Sequence, residues 1–214
     1  MNLDITDTIN NILSKNNAIP VRQANAVSGS IFVHENLNLV GLARETNIMN
    51  ELMNGNIPNF LRNFRQVSVS DGTNSIEYLV MPDVLSIGQD SDYCRMSMMP
   101  HTAQMVADKY DCTLPTTKMV DDIWKQATNQ LVPHALAPDA DMSKTYRVAQ
   151  HNSIITTQLT GLNPFALTSG HKKDIVLTNH LNPHNPNQRV AIYGWIRPNG
   201  TPIQPLNATS HAAF

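Results

Sequence analysis

Apolar residues recur along this chain with two periods, one of which marks helices and the other strands. Ile5, Ile9, Ile12 and Leu13 keep helical spacing after Asp4 or Thr6, either of which can cap, and predict a short amphipathic helix over 4–14. Residues 16–40 alternate without a clear period around Ser28-Gly29-Ser30. From 41 to 54 the helical period returns with Leu42, Ile48, Met49, Leu52 and Met53 on one face, and Gly55 is placed to end that helix. Pro58 opens a turn that carries Phe60, Leu61 and Phe64 as core anchors. Further on, Pro100 starts a helix through Tyr110, the Leu114-Pro115 break follows, and Thr116 caps a helix bearing Met119, Val120, Ile123, Trp124 and Ala127. Residues 129–142, with Pro133 and Pro138, read as loop, and a last helix runs from about Ser143 to Leu159, where Gly161 can terminate it.

The strand period appears first where Val67 and Val69 face Ile76, Tyr78 and Val80 across Asp71-Gly72-Thr73-Asn74, which predicts a hairpin. Val84 to Ile87 adds a short strand. The last fifty residues predict strands over 175–178, 190–195 and 201–206, the final two joined by Arg197-Pro198-Asn199-Gly200, a strong turn signal. Strands at both ends of the chain with helices between them predict an α+β fold: an antiparallel sheet with a central group of helices packed on it. The expected division is an N-terminal helix and irregular segment over 1–40 and a single α+β domain over 41–214. No internal repeat is evident.

Composition narrows the function classes. Charged residues are only 15% of the chain, against roughly 25% in an average soluble domain, and the formal net charge is -2. Clustered Lys and Arg are what bind nucleic acid, so no nucleic-acid partner is expected. Cys94 and Cys112 are too few for a disulfide framework and lack the paired spacing of a zinc site, so no metal and no cofactor are expected. The start Met1-Asn2-Leu3-Asp4 has neither the basic nor the apolar region of a signal peptide, and no run reaches the ~18 apolar residues of a membrane span. A cytoplasmic location is the default expectation, with export by another route left open; oligomeric state is not legible.

The chemistry concentrates in Gly170-His171-Lys172-Lys173-Asp174, three ionisable side-chain types at the mouth of an apolar strand. Charges there must be well paired or functional, because unpaired burial is costly. Strand alternation places Lys172 and Asp174 on one side as a pair and leaves His171 facing the other. Tyr193 and Trp195, two residues apart, share a face under the same rule and can form a platform for a sugar ring or a peptide. His151, on a helix, can point a base inward. Lys118 with Asp121 and Asp122 has the spacing of local ion pairs. His180 and His184 lie in a Pro-rich stretch and read as loop histidines.

Several segments resemble a family of bacterial proteins to which no activity is attached: Asn56-Ile57-Pro58-Asn59-Phe60-Leu61-Arg62, Met81-Pro82-Asp83, Leu114-Pro115-Thr116-Thr117-Lys118-Met119-Val120-Asp121, His151-Asn152, Gly170-His171-Lys172-Lys173-Asp174, Ala191-Ile192-Tyr193-Gly194-Trp195 and Pro202-Ile203-Gln204-Pro205-Leu206. Together they run over most of 44–211. Similar proteins carry His at the position of Ile196 and continue past His211 with an Asp and a Ser-His-Gly, so a site using those groups would be incomplete here. A weaker resemblance, in order of elements, is to NlpC-type cell-wall cysteine peptidases. Cys94 stands before a helix as their nucleophile does, Leu114-Pro115-Thr116-Thr117 matches a Leu-Pro break, and Asp174-Ile175-Val176 and Arg189-Val190-Ala191-Ile192-Tyr193 match two later strands. Arg95-Met96 replaces the usual Ser-Gly after the nucleophile, and Arg189 stands where the base His is expected.

The first functional expectation is therefore a hydrolase acting on a cell-envelope peptide or glycan. His171 or His151 would be its general base, Lys172 an electrostatic stabiliser and Asp174 an orienting partner. Cys94 is a candidate nucleophile, and Tyr193, Trp195, Gln204, Lys118 and Asp121 are candidate substrate contacts. The competing expectations are a non-enzymatic structural or interaction protein, such as a virion or surface component, and a small-ligand binding module. A concave pocket at the His171 segment separates the first and last of these from the second.

Overall fold

The computed structural model describes residues 19–179 and 191–206, and the helix expected over 4–14 lies outside them. The chain forms α1 (Gly29–Glu35), α2 (Gly41–Met53), a 3-10 turn (Asn59–Arg62), β1 (Arg65–Ser70), β2 (Ser75–Val80), β3 (Ser86–Gln89) and β4 (Asp92–Arg95). Then follow α3 (Pro100–Lys109), α4 (Thr117–Gln126), β5 (Asn129–Gln130), α5 (Thr145–Gln158), β6 (Thr168–Ser169), β7 (Lys173–Val176), β8 (Ala191–Ile196) and β9 (Pro202–Gln204). This is an α+β fold. Its strands are divided among separate small sheets: β1-β2, β3-β4, the parallel pair β5-β6, and β7-β8-β9. The early hairpin and the late strands thus do not share one sheet, because α4 packs against both β1 and β8 and stands between them. No helix among the described residues is long and apolar enough to cross a membrane.

The local signals act as expected at most boundaries. The Thr116 hydroxyl accepts from the Met119 N–H and caps α4, and Pro100 occupies the first turn of α3. The β1–β2 register pairs Val67 with Tyr78 and Val69 with Ile76. Four elements escaped the periodicity, among them the two-residue strands β5, inside the stretch 129–142 read as loop, and β6. Helix α1, capped by the Ser28 hydroxyl, is only seven residues long, too short to repeat its apolar spacing. Strand β4 carries Cys94 and Arg95 inside the protein, where a buried charge breaks the apolar pattern.

The main core gathers Phe32, Ile48, Leu52, Ile57, Phe60, Leu61, Ile87, Cys94, Met96, Val106 and Tyr110. Phe32 and Ile19 belong to it, so the described part of the segment read as irregular, 19–40, is built into the interior. Each fully buried Ile or Leu contributes on the order of 1.5–3 kcal/mol relative to exposure. The Tyr110 hydroxyl, buried in the same core, donates to the Leu52 carbonyl and ties α3 to α2. A smaller cluster of Val120, Val176, Ala191, Tyr193 and Ile196 holds α4 on the β7-β8-β9 sheet.

Strand β3 approaches α1 so closely that only glycine fits. A Cβ on Gly88, whose φ is 125°, would lie 2.3 Å from the Asp92 carbonyl oxygen and 2.6 Å from the Gly29 nitrogen, and both are backbone atoms that cannot yield. Gly88→Ala is expected to lower stability by more than about 2 kcal/mol. Gly72→Ala, at an open turn with nothing within 4 Å, is expected to cost about 1 kcal/mol from its positive φ alone. Urea midpoints of the two variants with unchanged m-values would check this ordering.

Candidate functional site

A buried ionic network lies where the β2–β3 turn, β4, α5 and the start of β7 meet. Asp83 follows Pro82 in that turn, and its carboxylate is fully enclosed. Oδ2 accepts Nε–H of Arg95 at 2.8 Å and lies 2.7 Å from Nη2. Oδ1 accepts the Val84 N–H at 2.7 Å and lies 3.0 Å from Nε2 of His171. Arg95, 0% exposed, is held on its other edge by Asn152 Oδ1 at 3.1 Å and by the Tyr93 hydroxyl at 3.2 Å. Burial alone would push the Asp83 carboxyl up. His171 and the permanently charged Arg95 outweigh it and hold Asp83 down at about 2.

An ionised carboxylate accepts only, so the proton between Asp83 and His171 sits on Nε2. His171 is 1% exposed, and its Nδ1 is enclosed without a hydrogen-bond partner among the described residues. A buried polar atom left unsatisfied costs about 1–3 kcal/mol. His171 lines a cavity of about 450 Å³ together with Asp83 and Asp174, and Met81, Met119, Val120 and Ile123 are among its apolar walls. Burial, reinforced by the nearby Asp83 charge, raises the Asp174 carboxyl to about 7. Two carboxyl groups of one cavity wall are thereby driven apart, one ionised and one protonated.

A second cavity of about 190 Å³ lies between α5 and β8, lined by Ser97, Arg147, His151, Lys172, Lys173 and Trp195 among others. His151 Nε2–H donates to the His134 carbonyl at 3.0 Å. Burial, with the Lys172 charge adding to it, lowers His151 to about 4. Burial also brings Lys172 down to about 8, with Cys94 acting in the opposite direction and Arg95 in the same one. Lys173 Nζ rests 4.7 Å above the Trp195 ring.

The sequence-predicted residues therefore fall into different places. Lys172 and Asp174 do not pair: no carboxylate among the described residues lies within ion-pair distance of Lys172, because the ladder begins only at Lys173 and His171-Lys172 precede it in irregular backbone. Tyr193 and Trp195 do not share a face. Gly194 and Trp195 have φ of 121° and 57°, and the Trp195 N–H reaches the Lys172 carbonyl at 2.9 Å, a bulge that turns the indole away. Tyr193 packs under α4 and donates to Asp121 at 2.8 Å, whereas the Trp195 indole donates to the His171 carbonyl at 2.9 Å.

Lys118 pairs with Asp122 on α4, and neither it nor Asp121 lines either cavity. Gln204 is 4% exposed and donates to the Pro205 carbonyl, away from both cavities. Cys94 lies on β4 rather than at a helix start. Burial pushes its thiol up to about 11, with Lys172 opposing, so it stays neutral and does not suit the nucleophile role. Asp83, Arg95 and Asn152 were missed, although Asp83 between Pro82 and Val84-Leu85 and Arg95 between Cys94 and Met96 are lone charges in apolar surroundings. Among the described residues no three His, Cys, Asp or Glu are grouped to hold a metal ion. No family model, curated protein or solved structure matches the chain.

The network sets two pH effects. Asp83, depressed in the fold, contributes stability that is present above its unfolded value near 4 and is lost as pH falls toward about 2. Asp174, raised in the fold, contributes stability that is present below about 4 and is lost as pH rises through about 7. Asp174→Asn is therefore expected to flatten the decline in stability between pH 4 and 7 while leaving the acid limb unchanged, as denaturant unfolding across that range would show. Arg95→Met, which strands the Asp83 charge, is expected to cost about 3–5 kcal/mol at pH 7.

Proposed function

We propose that this chain is a hydrolase with a water nucleophile, in which the Asp83–His171 pair is the general base and protonated Asp174 the general acid. One observation carries the reading: His171, which lines the first cavity, has an enclosed Nδ1 without a hydrogen-bond partner among the described residues, while Asp83 fixes its other nitrogen. In the neutral ring that Nδ1 is a proton acceptor held in one orientation; because it is enclosed, the cavity wall must shift enough to admit a water against it. Asp174 then supplies a proton to the leaving group near neutral pH. A cavity of about 450 Å³ takes one sugar unit or a short peptide end. The cell-envelope substrate class rests on the NlpC-like order of the Leu114-Pro115 break and the Asp174 and Tyr193 strands. With Cys94 in the core, the family's thiol chemistry is not part of the proposal.

The apolar walls of the same cavity favour a second reading, a small-ligand binding module without turnover. The two separate in one experiment. The chain is incubated with purified peptidoglycan, and soluble fragments are followed by chromatography and mass spectrometry. Fragment release that falls about 10²–10⁴-fold in both His171→Gln and Asp174→Asn supports the hydrolase. No release by the unsubstituted chain overturns it and leaves the binding reading.

A further inference from the structure

Lys172 is the one residue common to the linings of both cavities. Its backbone carbonyl accepts the Trp195 N–H in the bulge, which anchors the start of its side chain. The charges acting on the ammonium come from Cys94, Arg95, Asp83 and Arg44, and it is itself the strongest charge acting on His151, which shares the second cavity with it. No carboxylate among the described residues lies within ion-pair distance of it; Asp83, already paired with Arg95, acts on it only from further away, whereas Arg147 is paired with Asp139 and Arg44 with Glu45. A half-buried lysine without a directly paired carboxylate, lining a cavity of about 190 Å³, is a setting that suits a lysine reacting as a nucleophile.

We propose that Lys172 condenses with small 2-oxo acids in the second cavity to form a Schiff base. The neutral amine adds to the carbonyl carbon, forming a C–N bond as the C–O π bond breaks and its oxygen takes up a proton. The nitrogen lone pair then expels the hydroxyl, which leaves as water by taking the second amine proton through His151, and the products are an imine and one water. His151, whose Nε2–H is committed to the His134 carbonyl, keeps an unprotonated Nδ1 that can take the proton released by the amine. Lys173, held over Trp195, supplies the positive charge for the acid's carboxylate, and the indole face covers its carbon chain. The small volume limits the ligand to a few carbon atoms. Lowering of the Lys172 ammonium by burial keeps a share of the amine neutral near pH 8. Nothing in this step uses the His171 or Asp174 side chains.

The test follows each lysine separately. The full chain is incubated at pH 8 with glyoxylate or pyruvate and sodium cyanoborohydride, digested, and each lysine peptide is quantified by mass spectrometry over time. Lys172 is expected to be modified at least about tenfold faster than exposed Lys109 and Lys125. His151→Gln is expected to slow Lys172 about tenfold while leaving those two rates unchanged. Equal modification of all lysines, or preference for Lys173, overturns the proposal. Equal rates at Lys172 with acetaldehyde and glyoxylate overturn the assignment to oxo acids. Loss of peptidoglycan hydrolysis has no bearing on this result, so the two readings fail independently.

Discussion

The pairing of Asp83 with Arg95 is the constraint on which the rest of the interior depends. Removing an ion from water costs several kcal/mol even after relaxation, and here both partners are completely enclosed. The cost is offset because each Arg95 nitrogen and both Asp83 oxygens have partners. Arg95 spends its three nitrogens on Asp83, Asn152 and Tyr93, and Asp83 spends its two oxygens on Arg95, His171 and Val84. An apolar pair of the same volume would pack as well, so stability alone does not explain the choice. What the ions add is direction. They fix four chain segments, the β2–β3 turn, β4, α5 and the start of β7, in one register that apolar contacts would leave free to slide.

That fixed register determines where the chemistry goes. His171 is drawn toward Asp83 and away from the β7 ladder, which leaves Gly170 with φ of 95° and delays strand pairing to Lys173. Lys172 must then leave the segment on a different course, into the space between β8 and α5. His171 thus lines the first cavity and Lys172 lines both. The bulge at Gly194 and Trp195 is the counterpart on the neighbouring strand, where the Trp195 N–H follows the displaced Lys172 carbonyl. Ile196 returns to the core beside Val120 and Val176.

Most of the fold was legible in the sequence because its long helices and the β1–β2 hairpin obey a period over ten or more residues. Thr116, Pro100 and the Asp71–Asn74 turn mark boundaries by local chemistry that tertiary packing does not override. The site was legible only in part. His171, Lys172 and Asp174 announce themselves as charges at an apolar strand, yet their partners are remote in sequence. Asp83 lies 88 residues from His171, and no spacing rule connects them. The alternation rule then misplaced Lys172, Asp174, Tyr193 and Trp195, because it holds only inside a regular ladder and the network breaks the ladder there.

Trp195 shows where the strain of this arrangement is stored. A non-glycine residue with φ of 57° costs on the order of 1–2 kcal/mol, and a bulky aromatic persists there only when its surroundings over-determine it. Three contacts do so: its indole N–H on the His171 carbonyl, its backbone N–H on the Lys172 carbonyl, and Lys173 over its ring. All three come from the one segment that also carries the chemistry. A tryptophan held this way reads the position of His171 and Lys172 directly, so a displacement of either would be resisted by the bulge before it reached the sheet. The strained residue and the His171–Lys173 segment are thus tied together, and the buried Asp83–Arg95 pair, through His171, anchors that segment.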